Sequence, residues 1–228
     1  MVDRSSNNIP SCLMLAANLI TPVSLASVFE AEDLKETGIE FDSHVTLLYS
    51  KTYIDKDDIL KDIEDVLRKS EIGKSIAGGF SIIKFLEHQK ELDPRPVLDL
   101  FELSNFENDS GYVVLRLKPD TGFFHLFKTI NEGLSEKYGV VSEFGDYKAH
   151  LTLAELEPGR TKKYMDHENL KLILRNSLIS FEDLIFSYDL GEKDFKVFDL
   201  THNMSVDRYF RIKNAKLESK EFIIESVE

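Results

Sequence analysis

An α+β fold built on antiparallel sheets is what the sequence predicts, on three observations. Segments with two-residue apolar alternation or β-branched runs are interleaved with segments whose apolar residues recur at three and four positions, the periods of strand and helix. The order strand, His-x-Thr, helix occurs twice along the 228 residues. The composition, 42% hydrophobic and 30% charged, is that of a globular chain long enough to bury a core without disulfides or metal.

Residues 12–20 (CLMLAANLI) are an apolar run closed by Pro22, which predicts a buried strand, and 22–34 follow as a connection or short helix ending in an acidic turn. Residues 41–49 (FDSHVTLLY) are rich in β-branched and aromatic side chains and predict a strand. Across 55–70, Ile59, Ile63, Val66 and Leu67 recur at helical spacing. Glycines within 73–79 loosen the chain before 80–86 (FSIIKFL), and Pro94 and Pro96 precede the alternating 97–103 (VLDLFEL); the two are expected as antiparallel strands around a loop.

The second half repeats the theme. Residues 112–117 (YVVLRL) predict a strand, and 122–138 a helix with Phe124, Phe127, Ile130, Leu134 and Tyr138 on one face and Gly139 as its stop. Residues 148–156 (KAHLTLAEL) predict a strand and 160–174 a charged helix, before a hairpin of 184–190 and 195–200 turning at Gly191 and Glu192. Residues 201–228, with alternating charge and a Phe222-Ile223-Ile224 end, are an edge strand or a packed tail.

With 41 acidic against 28 basic residues the formal charge is −13, a field that repels long polyanions, so duplex DNA is not an expected partner. A small nucleotide in a locally basic pocket remains allowed, because screening over roughly 8–10 Å hides distant charge. The single Cys12 excludes an internal disulfide and a cysteine-based zinc site, and a reducing, cytoplasmic setting is expected. The stretch 12–17 is cut by Asn18 and Pro22, so neither a signal peptide nor a membrane span is expected. No metal or cofactor is expected either: the sequence shows no His/Asp/Glu cluster at ligand spacing, no glycine-rich phosphate loop and no Gly-x-Ser-x-Gly elbow. Oligomeric state is left open.

The chemistry sits in Ser-His44-Val-Thr46-Leu-Leu and Ala-His150-Leu-Thr152-Leu-Ala. Six histidines at average composition produce about 0.7 pairings with a hydroxyl residue two places on by chance, so one motif would decide nothing. Two, each on a predicted strand ahead of a predicted helix, read as a duplicated half-site. Residues i and i+2 of a strand share a face, so each motif pairs an imidazole with a hydroxyl. Imidazoles titrate near neutrality and can take a proton from an attacking oxygen or give one to a leaving oxygen. Hydroxyl donors stabilise the charge gathering on the non-bridging oxygens of a phosphodiester under attack.

This arrangement resembles the two-histidine (2H) phosphoesterase superfamily, named for two His-x-Thr/Ser-x motifs on paired strands of a bilobal, pseudo-two-fold α+β fold. The resemblance covers roughly residues 13–200 in element order and is specific at residue level in the two motifs. It implies two antiparallel sheets forming a central cleft with helices outside. Residues 1–200 would make one bilobal domain, its halves roughly 12–110 and 111–200, with 201–228 as an extension. It implies His44 and His150 as the acid/base pair, Thr46 and Thr152 as phosphate donors, and no required metal. Members include RNA-end cyclic phosphodiesterases, 2′-5′ RNA ligase-like enzymes, 2′,5′-oligoadenylate phosphodiesterases, and phage enzymes that destroy cyclic oligonucleotide signals of bacterial immunity (anti-CBASS enzymes). The Arg-x-Phe-like N-terminal strand of many ligase-like members is not found, and the acidic surface suits a short nucleotide better than folded tRNA. A small or cyclic oligonucleotide is therefore the expected substrate, with RNA 2′,3′-cyclic ends or 2′-5′ oligonucleotides as the alternative. A nucleotide sponge without turnover, and an interaction protein with acidic faces, are readings from other classes.

Two further residues are candidates for substrate contact. Lys148 shares the parity of His150 and either reaches a phosphate or is a solvated strand end. Tyr49 offers a stacking face for a base, although its parity with Val45 and Leu47 favours the core. Arg160, Lys162 and Lys163 form a basic cluster after Pro158-Gly159, read either as a phosphate-binding helix start or as an exposed charged turn. His88, His125, His167 and His202 lack a neighbouring hydroxyl on a strand and are read as structural or surface residues.

Overall fold

A computed structural model describes residues 9–40, 42–55, 57–71, 94–106, 111–142 and 145–188, together with the backbone of 193–198. The segment 80–86, the turn at Gly191 and Glu192, and residues 201–228 lie outside the described residues.

The architecture is α+β with two antiparallel sheets. The first joins β1 (Ser11–Ile20), β3 (His44–Ser50), β8 (Leu178–Tyr188) and β4 (Arg95–Pro96) in the order β3-β1-β8-β4, with β9 (Lys193–Phe198) also paired to β8. The second runs β2 (Leu34–Ile39), β7 (His150–Leu156), β6 (Tyr112–Leu117), β5 (Phe101–Asn105). Each sheet therefore draws strands from both halves of the chain: β8 and β9 return to the sheet of β1, while β2 crosses to the sheet of β7. Among the described residues no helix is long and apolar enough to cross a membrane.

Two long helices carry the amphipathic patterns expected of them. α1 (Ile59–Lys69) buries Ile59, Ile63 and Leu67. Asp62, buried on the same face, accepts from Lys137 and from the Tyr138 hydroxyl. Before the next long helix comes α2 (Val97–Leu100), a single turn. α3 (Gly122–Tyr138) starts at Thr121, whose hydroxyl accepts from the Phe124 N–H at 3.2 Å, and stops at Gly139 in the left-handed region. α1 and α3 approach closely at Gly133, where a Cβ would meet Val66 Cγ1 at 2.3 Å.

Three local expectations are corrected. The stretch 97–103 is not one strand: Val97–Leu100 is the turn of α2, and β5 begins at Phe101. Val97, Leu100 and Phe101, all buried, stand at the i, i+3, i+4 spacing of a helix, and Pro96 starts a helix readily. The charged helix of 160–174 is two, α4 (Thr161–Met165) and α5 (Glu168–Arg175), because the His167 ring caps a new start by accepting from the Leu170 N–H at 3.4 Å. In the third, the connection over 22–34 does hold short helical turns, at Leu25–Ser27 and at the acidic Ala31–Asp33, but an unanticipated strand, β2, follows them; only Ile39 of its six residues is buried, so it carries almost no apolar signal.

Candidate functional site

His44 opens β3 and His150 opens β7. On each strand the histidine and threonine are half-buried on one face while Val45 and Leu47, or Leu151 and Leu153, enter the core at 1% exposure or less. The apolar side chains hold the strand, so the polar ones are fixed on the opposite side.

The two imidazoles are oriented in the same way. His44 Nδ1 lies 2.8 Å from the carbonyl of Asp42, and His150 Nδ1 lies 2.7 Å from the carbonyl of Lys148, each two residues upstream. A carbonyl only accepts, so Nδ1 carries the proton and donates it, leaving Nε2 of each neutral ring with a lone pair turned away from its own backbone. Neither threonine hydroxyl is engaged by another described residue.

β3 and β7 belong to different sheets yet come within 8 Å between Cα atoms. A bond across the seam fixes them: the half-buried Tyr147 hydroxyl, just ahead of β7, donates to the Thr46 carbonyl at 2.8 Å. The Glu40 N–H, next after β2, extends the β2–β7 ladder to the Leu153 carbonyl at 3.0 Å. Asn131 of α3 donates to the Leu47 carbonyl at 2.8 Å. Burial is the main reason His150 holds a proton less tightly than an ordinary imidazole; the Lys148 carbonyl works the other way, and the charges of His44 and Arg116 add to burial.

Both motif strands also carry the same irregularity. Leu13 pairs with Leu48 and Met14 with Thr46, so Leu47 has no partner on β1; Val113 pairs with Ala154 and Val114 with Thr152, so Leu153 has none on β6. One extra residue reverses the parity of everything beyond it. Leu47 and Leu48 are both buried, as are Leu153 and Ala154. Tyr49, expected among the core residues, is consequently 39% exposed and on the face of His44 and Thr46. Glu155 is its counterpart on β7. Its carboxylate accepts from Lys35 at 2.8 Å and from Thr37 at 2.5 Å, and these bonds hold its pKa below the usual range.

Arg116 was not singled out from the sequence. It lies on β6 directly opposite His150 and so shares its face. Phe106 packs edge-on against the His150 ring at 4.9 Å and 90°, contributing to its desolvation. The one sequence signal for Arg116 was its parity within YVVLRL, visible only once β6 is known to pair with β7.

The other candidates sort as follows. Lys148 is half-buried, and its carbonyl is the anchor of His150. Arg160 and Lys163 are engaged by Asp33, at 3.4 and 3.0 Å, and Lys163 also pairs with Glu30, so two members of that cluster serve an ion-pair network rather than a phosphate. His125 is an exposed helix residue and His167 a helix cap; His88 and His202 lie outside the described residues. Glu30, Glu32 and Asp33 bring three carboxylates within 4.8 Å of one another, a cluster not anticipated from the sequence. Asp33, however, accepts from Lys163 and from the Tyr164 hydroxyl, which hold its pKa down and already supply its positive partners. A cavity of about 300 Å³ between β5 and α5, walled by Leu98, Phe101, Leu103 and Leu174 with Glu102, Lys118, Lys171 and Arg175 also on its lining, contains none of the four motif residues.

The site thus belongs to a class defined by geometry: an α+β protein in which two His-x-Thr strands from separate sheets meet along one seam. No protein-family model and no curated protein matches the chain, so the chemistry is argued from this geometry.

Proposed function

We propose that the protein is a phosphodiesterase of the two-histidine type that cleaves a small or cyclic oligonucleotide by general acid/base catalysis. The observation that carries this reading is the pair of identically anchored imidazoles, each with a neighbouring threonine, close enough for the charge of one to oppose protonation of the other. The matched strand irregularities support the pseudo-two-fold fold of that superfamily, because they repeat a detail beyond the motifs themselves.

In this mechanism His150 is the base. Burial favours its neutral form, and Nε2 accepts the proton of a ribose 2′-hydroxyl or of a water as that oxygen attacks phosphorus. His44, on the other strand, donates its proton to the departing oxygen, and Thr46 and Thr152 donate hydrogen bonds to the non-bridging oxygens. Every proton is handled by imidazole, so a metal is not needed for the step. Tyr49, turned onto the same face, supplies a stacking surface for a base.

The test is a mass-spectrometric screen of RNA 2′,3′-cyclic ends, linear 2′-5′ oligoadenylates and cyclic di- and trinucleotides, run in EDTA. Cleavage of at least one member is expected in the chelator. Recovery of all substrates unchanged after long incubation contradicts the reading and returns the site to a binding role.

A further inference from the structure

We propose that Arg116 forms an anion-binding subsite on the face of β6, seating a phosphate against His150. That the anion is a substrate phosphate rests on the phosphodiesterase reading; that it is an anion does not.

Arg116 has a single hydrogen bond among the described residues, from Nη2 to the Asn105 carbonyl at 3.2 Å. Its Nε is buried and has no partner there. A charged donor stripped of water and left unpaired is unfavourable, and buried donors in folded proteins are nearly always satisfied. An anion bound at the guanidinium edge, with a side-chain shift that uncovers Nε, would satisfy it, and the planar guanidinium is shaped to present adjacent N–H groups to two oxygens of a phosphate.

Position makes the anion relevant to His150. The residue pair Arg116 and His150 is in register across β6 and β7, and Val114 stands opposite Thr152 one step along the same face. A phosphate on Arg116 is therefore next to the imidazole and the threonine hydroxyl together. Asn105 is itself held, its side-chain amide donating to Thr161 Oγ1 at 3.1 Å, so the carbonyl that orients Arg116 is braced by α4.

The other charged groups around this face leave the role to Arg116. On β5, Glu102 is opposite Arg116 and exposed. Lys118 donates to the Leu98 carbonyl at 2.5 Å, and Glu155 is occupied by Lys35 and Thr37. His44 approaches from β3, and Lys148 lies two residues ahead of β7. An anion bound at Arg116 offsets the positive charges that depress the affinity of His150 for a proton, so occupancy tunes the base toward neutrality.

The first test needs no turnover. Inorganic phosphate is titrated into full-length protein while the imidazole NMR signals are followed, in wild type, Arg116→Met and Arg116→Lys. The wild type is expected to show a saturating shift of the His150 signals. Arg116→Met, which keeps the stem and removes the donors, is expected to bind phosphate at least tenfold more weakly, with Arg116→Lys between the two. Equal affinity in wild type and Arg116→Met, or no response of the wild type, overturns the subsite. Where Arg116→Met does not melt cooperatively, Arg116→Lys decides the outcome on the same criterion.

The second test uses the oligonucleotide cleaved in the screen. Arg116→Met is expected to raise KM by tenfold or more and to move the acid limb of kcat/KM to higher pH. An unchanged KM and an unchanged limb in an active enzyme overturn the subsite and leave the phosphodiesterase standing. Phosphate binding that depends on Arg116 in a protein that cleaves nothing does the reverse.

Discussion

Replacing either histidine by alanine is expected to lower kcat/KM by about 10²–10⁴-fold, the ordinary contribution of one positioned acid or base. His150→Ala removes the proton acceptor and His44→Ala the donor, and neither role passes to a neighbour. Thr46 and Thr152 are hydroxyls of far higher pKa, and Tyr147 donates to the Thr46 carbonyl with burial raising its pKa further. Because both imidazoles act in one step, His44→Ala combined with His150→Ala is expected to cost little more than the worse single change. Steady-state kinetics on the cleaved oligonucleotide, alongside thermal melts showing that each variant folds, is the measurement. A single variant within threefold of wild type removes that histidine from the mechanism.

The second large effect is on stability. Gly111→Ala is expected to destabilise the fold by about 3 kcal/mol or more, from the ~1–3 kcal/mol of an unfavourable positive φ plus a clash with backbone that cannot yield cheaply. Gly111 sits at φ 89° just ahead of β6, and a Cβ there would lie 2.2 Å from the Leu156 carbonyl oxygen. The Leu156 N–H also donates to the Gly111 carbonyl at 2.6 Å, so the alanine pushes apart the β6 and β7 ends that set the register of Arg116 against His150. Denaturant unfolding of the variant checks it; a loss under 1 kcal/mol would show that the chain end relaxes freely.

The motif strands, α1, α3 and the Gly139 stop were legible because each rests on local periodicity or a single cap, and these are properties of short windows of sequence. Tyr49 was misplaced for a definite reason. Parity counting assumes an unbroken ladder, and the extra residue at Leu47 is a relation between β3 and β1 that no window of β3 contains. Arg116 was missed because its meaning depends on β6 pairing with β7, a contact between residues far apart in the chain. β2 was missed because LKETGI is stabilised by the sheet it joins rather than by its own side chains. The basic cluster at Arg160 and Lys163 shows the opposite failure: it was visible, but Asp33 and Glu30, more than a hundred residues earlier, decide its use.

Two-histidine catalysis requires His44 and His150 to confront one another across the seam, and imidazole NMR titration reads that directly. His150 is expected to titrate below the ordinary value of 6.5, since burial and the nearby charges of His44 and Arg116 all favour its neutral form. In His44→Gln one of those charges is gone, so the His150 midpoint is expected to rise while remaining below 6.5, because burial persists. A midpoint that does not move when His44 is replaced would mean that the two rings do not share a site, and the two-histidine mechanism would fall with it.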